Sequence, residues 1–509
     1  MMEWKILYAI FAISLYICEG YKILVVFPMP GKSHRILGDG YVRHLLNAGH
    51  EVTYVTPFPS KYTHERLKLV DVSNNVPIIP GIYVRRDDFF ISVLDVSVFT
   101  EIARNTLADK NVQDMLNDED VQFDLVIAEW MFSELYAGFS AVFECPYMWS
   151  SSVYPHWIIM ALIEATKSPE YFPDMHSRNV EPLSFTQRVT EFVEQISGTV
   201  KKSLRYHPME LDNYNKFFVP ILAKKGKKIP EFHELMFNAS LVMANTDISL
   251  SKAQALPPNC VPVGGYHVES AQSLPKDLKS IMDKAENGVI YFSMGSNLNS
   301  TSFPRGLKRR IINMLGELNN TVVWKFEEVL PDLPKNVHIL PWAPQQSILA
   351  HPNCVLFITH GGYLSVTEAV HFGVPIVGIP VFADQFANVE KAARRGLGQK
   401  VNLNFDLVDN LKAAIEEVVG NQNYRQFAKE LSAVYFDRPA SPRKQLVDWV
   451  EYVIRTKGAP YLRCPALLMP WYQQYYLDLL ALFLVIVFAI KCTMYCLLNM
   501  FLHMMKINK

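Results

Sequence analysis

The amino-acid sequence predicts an α/β protein with two Rossmann-like, doubly wound domains that face each other across a cleft, followed by a C-terminal transmembrane helix. Two observations predict the domains: short apolar runs alternate with helical patterns, and this alternation restarts after a stretch rich in proline and glycine. A long apolar segment near the C-terminus predicts the helix. A chain of 509 residues is long enough for each of two domains to bury its own core.

Both ends of the chain are apolar. The first 20 residues combine basic Lys5 with an apolar run and small residues at Cys18 and Gly20, which predicts a cleaved secretory signal peptide, with a buried first strand as the alternative. Residues 475–498 predict a membrane-spanning helix with aromatic residues before it and lysines after it; a very apolar soluble helix is the alternative. Together they predict a type I single-pass protein of the endoplasmic reticulum membrane whose domains face the lumen.

Composition argues against two function classes. The chain has 49 Lys and Arg against 50 Asp and Glu, so it offers no overall positive charge to nucleic acid, and we expect no nucleic-acid partner. The cysteines outside the terminal segments lack paired metal-ligand spacing, and we expect no bound metal. They are Cys145, Cys260, Cys354 and Cys464. Asn238, Asn299 and Asn319 begin sequons and are candidate glycan sites in a lumenal chain.

The first predicted domain covers residues 21–250. Its predicted strands are the apolar runs KILVVFP, EVTYVTPF, FDLVIAEW and SLVMANT. A helical pattern around Val42, Leu45 and Leu46 follows the first strand, and a more helical, aromatic stretch covers residues 155–236. Residues 251–285 are rich in proline and glycine and predict a linker.

The second predicted domain, residues 286–456, repeats the alternation more clearly. Its predicted strands are VIYFSMGS, TVVWKF, VHILPW, CVLFITH and IVGIPV. Beyond it, residues 457–474 predict a juxtamembrane segment and residues 499–509 a short cytosolic tail. Ligands of such sheets bind beyond the carboxyl ends of the strands, which is where candidate site residues are sought.

A glycine pair and a helix follow the strand CVLFITH. Glycine lets the backbone come close to a ligand, so Gly361–Gly362 after His360 mark a candidate binding turn. The helix that begins near Tyr363 offers unpaired N–H groups to an anion, and Ser365 adds a hydroxyl in its first turn. Glu368 shares the face of Ser365, where a carboxylate suits a ribose diol. This pattern predicts a nucleotide site, with a plain tight turn as the alternative.

Two other strand ends add to this site. Trp342 and Gln345 follow VHILPW, where an indole face suits a flat base and an amide suits its polar edge. Asp384 and Gln385 follow IVGIPV, where they are placed to bind sugar hydroxyls. Each residue has another interpretation, because Trp342 could belong to the core and Asp384 could cap a helix. Together with the glycine turn they predict a nucleotide-sugar site.

These residues resemble the donor signature of the UDP-glycosyltransferases, which have the glycosyltransferase B fold. The matching positions are Trp342, Gln345, Thr359, His360, Gly361, Gly362, Ser365, Glu368, Gly373, Pro375, Asp384 and Gln385. The resemblance extends from the signal through SHRILGDGYVRHLLNAGHEVTYVTP and FSMGS to the apolar tail. It departs from the vertebrate form, which usually has Asn-Gly at Leu364-Ser365. The form here is arthropod-like, in which UDP-glucose is the usual donor.

The resemblance implies a part of the donor for each residue. Trp342 would stack on uracil, and Gln345 would bind the uridine. Glu368 would bind the ribose hydroxyls, and Asp384 with Gln385 would recognise the sugar. The diphosphate would bind His360, Gly362, Ser365 and the backbone N–H of Leu364, with help from Ser296.

His34 follows the first predicted strand, on the sheet edge that faces the cleft. An inverting transfer needs a base that takes the acceptor proton, and an imidazole titrates near neutral pH. Position and resemblance favour His34 as that base; a turn histidine is the alternative, and His44 and His50 are interpreted as structural. The family usually has Asp where this chain has Glu129, which we expect to orient and stabilise His34. Glu134 is a second candidate for that role.

The sequence therefore predicts an inverting UDP-glycosyltransferase that transfers a sugar, with glucose favoured, to a hydroxyl of a small lipophilic acceptor without a cofactor. The acceptor pocket is expected from Phe89-Phe90, Tyr147-Met148-Trp149 and Tyr154, residues that could equally be core. A UDP-glucuronosyltransferase and a non-catalytic carrier that retains the fold are the alternatives. The expected partners are the UDP-sugar, the acceptor and the membrane, and a homo-oligomer is compatible with the sequence.

Overall fold

A computed structural model of the chain describes residues 20–59, 62–79, 96–164, 173–250, 254–296, 298, 303–328 and 330–507. The predicted signal peptide up to residue 19, the Phe89-Phe90 pair and the sequon at Asn299 lie outside the described residues.

The first domain is built on a seven-stranded parallel sheet in the order β3-β2-β1-β4-β5-β6-β7. Its strands are β1 (Lys22–Val26), β2 (Glu51–Thr56), β3 (Leu67–Asp71), β4 (Leu125–Trp130), β5 (Tyr147–Ser151), β6 (Val242–Ala244) and β7 (Cys260–Pro262). Its helices are α1 (Lys32–Asn47), α2 (Ser97–Ala108), α3 (Lys110–Asn117), α4 (Gly138–Phe143), α5 (Trp157–Met160), α6 (Phe185–Lys201), α7 (His207–Phe217), α8 (Val219–Lys224) and α9 (Phe232–Met236). Alternate residues of β1 enter different cores: Ile23 belongs to one hydrophobic cluster and Leu24 to another. The sheet is therefore covered on both faces, as a parallel sheet requires.

The second domain is built on a six-stranded parallel sheet in the order β10-β9-β8-β11-β12-β13. Its strands are β8 (Val289–Ser293), β9 (Thr321–Lys325), β10 (Val337–Leu340), β11 (Cys354–Thr359), β12 (Ile376–Gly378) and β13 (Gly398–Lys400). Its helices are α10 (Lys276–Asp283), α11 (Arg305–Gly316), α12 (Gln345–Leu349), α13 (Tyr363–Phe372), α14 (Gln385–Arg395), α15 (Leu407–Gly420) and α16 (Gln422–Phe436). In both sheets the strand order reverses beside the first strand of the domain, between β1 and β4 and between β8 and β11. Ligands of doubly wound sheets bind at that switch point.

The predicted linker contains regular structure. Strand β7 lies inside residues 251–285 and pairs with β6 at the edge of the first sheet. The sequence did not reveal it because it has only three residues and includes Pro262, which an edge strand tolerates. Helix α10 also lies in this stretch and packs Leu278 and Met282 into the core of the second domain. The described crossing between the domains is thus shorter than predicted.

The last helix of the globular part, α17 (Pro442–Arg455), returns to the first domain. Its buried residues Leu446, Val450 and Val453 join the cluster that contains Ile23 and Tyr41. The predicted boundary at residue 456 assigned this helix to the second domain. The amphipathic pattern of a helix predicts a buried face and does not specify which domain covers that face.

Beyond the short helix α18 (Trp471–Gln474), the chain ends in helix α19 (Leu477–Ile507). Residues Leu477–Met505 have a mean hydropathy of 2.4 and qualify as a membrane span by length and composition. The helix has 31 residues, a length of about 46 Å, which exceeds a hydrocarbon core of about 30 Å. The predicted span at 475–498 and the predicted tail thus belong to one continuous helix, of which part must lie outside the hydrocarbon core.

Candidate active site

The two halves of the predicted site lie at the carboxyl ends of the central strands. In the first domain, His34 lies in the first turn of α1 and Glu129 lies near the end of β4, which is the neighbour of β1. In the second domain, the register pairs Ser293 of β8 with Thr359 of β11. The turn that carries Ser296 therefore follows a strand adjacent to the one that leads into His360.

His34 and Glu129 form a buried pair. The Nδ1 atom of His34 lies 2.5 Å from Oε1 of Glu129, and the side chains are 14% and 0% exposed. The hydroxyl of Ser152 donates a hydrogen bond to the same carboxylate oxygen. A Cβ at Gly31 would lie 2.6 Å from Cδ2 of the histidine, so the absent side chain at Gly31 makes room for the ring. With Nδ1 bound to the carboxylate, Nε2 is the nitrogen that is left for proton transfer.

Electrostatics favour the charged form of this histidine. Burial lowers the pKa of His34, but the charge of Glu129 and its hydrogen bond raise it, and the net result is a pKa above the usual 6.5. Glu134 has other partners: its Oε1 accepts from Lys202 at 2.8 Å and from the Trp130 indole at 2.9 Å. Glu129 is therefore the carboxylate that the fold places on His34.

Residues His360–Gly362 form a turn, called the His360 turn, whose glycines pack closely against neighbouring side chains. Gly361 has a φ of 80°, and a Cβ there would lie 2.1 Å from a methyl carbon of Val389. A Cβ at Gly295 or at Gly362 would lie 2.5 or 2.6 Å from the imidazole of His360, so these two glycines make room for the ring. Burial, with the charge of Lys325, lowers the pKa of His360 to about 4. A neutral imidazole at this point can donate one N–H to a ligand.

Helix α13 begins directly after this turn, with Gly362 at its N-cap. Its first N–H groups have no intrahelical partner, so the amides of Leu364 and Ser365 lie at a positive dipole end. The side chain of Leu364 packs against the first domain, and that of Ser365 accepts a 3.3 Å hydrogen bond from Nε2 of Gln345. Ser296, in the neighbouring turn, is half-buried.

A buried carboxylate lies further along α13. Glu368 accepts hydrogen bonds from Nε2 of Gln345 at 2.5 Å and from Nε2 of Gln346 at 2.8 Å. Burial raises the pKa of Glu368, and these two amides partly oppose the rise. The Oε1 atom of Gln345 accepts from the Tyr291 hydroxyl at 3.3 Å. Gln345 therefore also orients Glu368, in addition to its predicted contact with a uridine.

Trp342 does not belong to the core. Its side chain is 56% exposed just beyond β10, which leaves an indole face open to a flat ligand. The Lys32 ammonium, from the first turn of α1, lies 4.8 Å from the centre of the indole. The two domains therefore meet over this ring.

The predicted sugar-binding pair lies at the start of α14. Asp384 occupies the N-cap position but makes no side-chain cap bond; its Oδ2 instead accepts from Asn388 at 2.7 Å. Burial raises the pKa of Asp384 to about 6, although Asn388 opposes the rise. The amide oxygen of Gln385 accepts from the backbone N–H groups of Val381 and Phe382, at 2.9 and 3.1 Å. Its NH₂ group is the part that remains for a ligand.

The two halves face each other closely enough to interact. Asp384 raises the pKa of His34, and His34 in turn lowers the pKa of Asp384. The histidine of the first domain and the carboxyl group of the second domain thus interact electrostatically across the cleft. The sequence predicted that these strand ends would meet, and the structure brings them together.

Four further residues support the site, and the sequence analysis missed them. Asn388 also donates to the backbone oxygen of Gly361 at 3.0 Å and so connects Asp384 to the His360 turn. Its spacing of four residues from Asp384 on a helix was a usable signal. His267 Nε2 lies 3.7 Å from Glu368, and Lys325 donates to the backbone oxygen of Gly295 at 2.8 Å. His176 contributes to the field at Asp384, and no local sequence pattern predicts such long-range contacts.

The residues predicted for the acceptor pocket are buried wherever the structure describes them. Tyr147, Met148 and Trp149 form β5 and are fully buried core, and Tyr154 packs at the contact between the domains. A small apolar recess beside Glu129 is another candidate. It is lined by Pro28, Met29, Phe99, Ile102, Met131 and Tyr136. Among the residues that the structure describes, no group of three or more His, Cys, Asp or Glu side chains could hold a metal ion.

Comparison with known proteins identifies the family. A family model described as "UDP-glucoronosyl and UDP-glucosyl transferase" matches residues 88–509. UDP-glucosyltransferase 2 from Dactylopius coccus is 34% identical over 500 residues, which cover 96% of this chain and 95% of that protein. The chain belongs to the UDP-glycosyltransferase family. This UDP-glycosyltransferase is also 29% identical to UDP-glucuronosyltransferase 1A1 from Mus musculus over 506 residues, covering 93% and 90% of the two chains.

Solved structures show the same fold. The glycosyltransferase of kitacinnamycin superposes with a TM-score of 0.58 at 18% identity, covering 85% of this chain and 99% of that one. The calicheamicin glycosyltransferase CalG4 superposes with a TM-score of 0.55 at 19% identity, covering 86% and 99%. The predicted family, the two-domain glycosyltransferase B fold and the enzyme class are therefore confirmed. The enzyme transfers a glycosyl group from a UDP-sugar to an acceptor.

Proposed function

We propose that this UDP-glycosyltransferase transfers glucose, with inversion, from UDP-glucose to a hydroxyl group of a small lipophilic acceptor, and that His34 is the general base. The observation that carries this proposal is the buried His34–Glu129 pair, 2.5 Å apart, opposite Asp384 and the His360 turn. A base, a carboxylate that stabilises it and an anion-binding helix start are the groups that such a transfer needs.

In the proposed first step, Nε2 of His34 takes the proton from the acceptor hydroxyl as its oxygen attacks the anomeric carbon. The imidazolium that forms is stabilised by Glu129, whose carboxylate already raises the pKa of His34. The acceptor lies in the apolar recess beside Glu129, which includes Phe99 and Met131. This recess supports a lipophilic acceptor, because it offers mainly apolar side chains for binding.

In the same step the bond between the anomeric carbon and the diphosphate oxygen breaks, and UDP leaves with the bonding electrons. The developing charge is received by the first N–H groups of α13, by the N–H of neutral His360 and by the Ser365 hydroxyl. Asp384 and the NH₂ of Gln385 hold the sugar hydroxyls. Because the acceptor attacks opposite the leaving group, an α-linked donor gives a β-glycoside.

Two observations support glucose as the sugar. Leu364-Ser365 replaces the Asn-Gly that is usual in the vertebrate form, and the relative at 34% identity is named a UDP-glucosyltransferase. The second candidate donor is UDP-glucuronate, supported by the 29% identity to a UDP-glucuronosyltransferase. Initial rates of the purified full-length enzyme with each donor and one phenol distinguish the two, and a higher kcat/KM with UDP-glucuronate would replace glucose in the proposal.

A panel of radiolabelled UDP-glucose reactions with phenols tests the chemistry. We expect β-glucoside product from the wild-type chain and a loss of about 10²- to 10⁴-fold in kcat for His34→Ala, with donor affinity unchanged. His64→Ala is the matched control, because His64 is an exposed histidine of the same domain. Tight UDP-glucose binding without turnover on any acceptor would instead favour the carrier.

We also propose that α19 anchors the enzyme in the endoplasmic reticulum membrane with both domains in the lumen. The hydropathy of α19 and the predicted signal peptide support this orientation. Asn319 is exposed and is the sequon chosen for the test. Endoglycosidase H should increase the mobility of the expressed chain, and Asn319→Gln should remove a glycan. Protease digestion of sealed microsomes that destroys both domains would show the opposite orientation.

A further inference from the structure

Helix α6 has its apolar side chains on the outside. Its buried residues are the polar Glu191 and Gln195. Its large apolar side chains are exposed, and they continue into the π-helical turn Lys202–Tyr206, where Leu204 is 76% exposed. We call this set the apolar stripe: Phe185, Val189, Phe192, Val193, Ile196, Val200 and Leu204. A surface helix normally has the opposite arrangement, with its apolar stripe facing the core.

The stripe is continuous. At about 100° per residue, its members fall within an arc of about 120° on one side of the helix. From Phe185 to Val200 the stripe is about 23 Å long, at 1.5 Å per residue. An exposed apolar surface of this extent on a soluble protein typically marks a binding surface.

The polar underside fixes the orientation of the helix. Glu191 accepts hydrogen bonds from Nδ2 of Asn179 at 2.8 Å, from the backbone N–H of Asp174 at 3.1 Å and from the Ser177 hydroxyl. A Cβ at Gly198 would lie 2.6 Å from the Trp157 indole, so the helix docks closely on α5. A rotation that buried the stripe would break these contacts.

The same part of the first domain contacts the segment that leads to the membrane anchor. Trp157, which lies under α6, is the first residue of α5. Glu164 follows it by seven residues and lies 3.7 Å from the thiol of Cys464. The chain passes from Cys464 to α18, which begins at Trp471, and then to α19. Helix α6 and the segment that precedes the anchor therefore both contact residues 157–164 of the first domain.

The charges beside the stripe match a lipid surface. Arg188, Lys201 and Arg205 are exposed on α6 and the turn after it, whereas Glu194 is the exposed acid of this segment. Long basic side chains can lay their stems along apolar surface and keep the cation among headgroups. An apolar face flanked by lysine and arginine is typical of helices that lie in a membrane interface.

We propose that the apolar stripe of α6 lies in the interface of the bilayer that α19 spans, so that the enzyme contacts the membrane through both α6 and α19. The proposal goes beyond the sugar transfer and rests on the anchor being inserted. The first domain then lies flat on the membrane, with α6 parallel to the surface and its apolar side chains at the boundary between headgroups and acyl chains.

Photolabelling of the full chain tests this proposal. The enzyme is reconstituted in phosphatidylcholine–phosphatidylserine vesicles that contain a phosphatidylcholine with a diazirine in its acyl chain, and labelled tryptic peptides are quantified. Arg188 and Lys201 bound the peptide 189–201, which carries the centre of the stripe. Peptide 413–425 of the second domain is the control. We expect at least five-fold more label in 189–201 than in the control, together with label in α19.

Variants of α6 test whether the label in peptide 189–201 comes from contact between the apolar stripe and lipid. Phe192→Ser with Val193→Ser and Ile196→Ser should lower the label in 189–201 at least three-fold and leave the label in α19 unchanged. Glu194→Gln, on the same helix outside the stripe, should leave both unchanged. If the serine variant fails to fold, the isosteric pair Val193→Thr and Val200→Thr replaces it. Control-level label in wild-type 189–201 beside a labelled α19 would overturn the proposal. So would intermolecular cross-links between two α6 helices in place of lipid label, since a second copy would then cover the stripe.

Discussion

Glu129 offers the most informative single substitution, because its carboxylate contributes both a charge and a hydrogen bond to His34. Glu129→Gln keeps the shape of the side chain and removes the charge. A hydrogen bond between charged groups contributes about 1.5–3 kcal/mol, and each 1.36 kcal/mol is a factor of ten, so we expect kcat to fall about 10- to 150-fold. The bond is 2.5 Å long and buried, which places it among the stronger ones.

The same substitution should move the pH profile. In the wild-type enzyme, the acidic limb of kcat/KM reports the loss of a proton from His34, and we expect its midpoint above pH 6.5. Without the charge of Glu129, burial is the main remaining influence and lowers the pKa of His34. The acidic limb of Glu129→Gln should therefore lie at lower pH than that of the wild type, although the maximal rate is smaller.

The assay is the initial rate of glucoside formation between pH 5.5 and 9 with saturating UDP-glucose and one phenol. Glu129→Asp is the companion variant: it keeps the charge but shortens the side chain by one methylene, about 1.5 Å, so it should lose much of the bond and keep part of the pKa rise. Ser152→Ala tests the other partner of the carboxylate. An unchanged profile for Glu129→Gln, with a rate within twofold of wild type, would refute the role assigned to this pair.

Three other outcomes follow from the site. Asp384→Asn should lower activity but stabilise the fold by up to about 3 kcal/mol above pH 7, because a buried carboxyl group with a pKa of about 6 instead of 3.8 opposes folding as it ionises. The melting temperature of the variant should therefore exceed that of the wild type at pH 8 and equal it at pH 4. Equal melting temperatures at pH 8 would contradict this prediction. Gly361→Ala should weaken UDP binding, measured by calorimetry, at least ten-fold, because a Cβ at a φ of 80° would lie 2.1 Å from Val389. The control Gly420→Ala should leave UDP binding unchanged, because there is open space around Gly420. Millimolar EDTA should leave kcat unchanged, because in the proposed mechanism α13 and His360 receive the charge of the leaving diphosphate; activity that returns only with added Mg²⁺ would refute this.

The sequence predicted the strands that lie in continuous apolar runs, including β6 and β12, which have three residues each. The nine runs interpreted as strands correspond to β1, β2, β4, β6 and β8–β12. The four that were missed lack a clear pattern. Strand β7 includes Pro262, and β13 has the mostly polar sequence Gly-Gln-Lys. Strand β3 exposes most of its residues, and β5 was interpreted as an acceptor-binding segment because it is aromatic. Short strands form because neighbours supply hydrogen bonds, which a single segment does not reveal.

Positions in the site were easier to predict than partners. His34 and His360 follow strands, Glu129 lies near the end of one, and the topology of a doubly wound sheet brings such positions together. The division of work within the site depends on contacts between distant segments. The amide oxygen of Gln385 accepts a hydrogen bond from the backbone of its own loop, and Glu368 accepts hydrogen bonds from Gln345 and Gln346. Those contacts arise only when the helices pack.

The return of α17 to the first domain means that two chain segments, residues 263–275 and 437–441, connect the lobes. The segments touch: Arg443, next to one, donates to the backbone oxygen of Val268 in the other at 2.9 Å. Tyr435 packs so closely on Gly265 that a Cβ there would lie 1.7 Å from its hydroxyl oxygen. A paired connection of this kind permits the lobes to swing about the line through both segments and resists twisting about other axes. Opening and closing around the nucleotide should then follow one path, and a single proteolytic cut in either segment would leave the lobes joined.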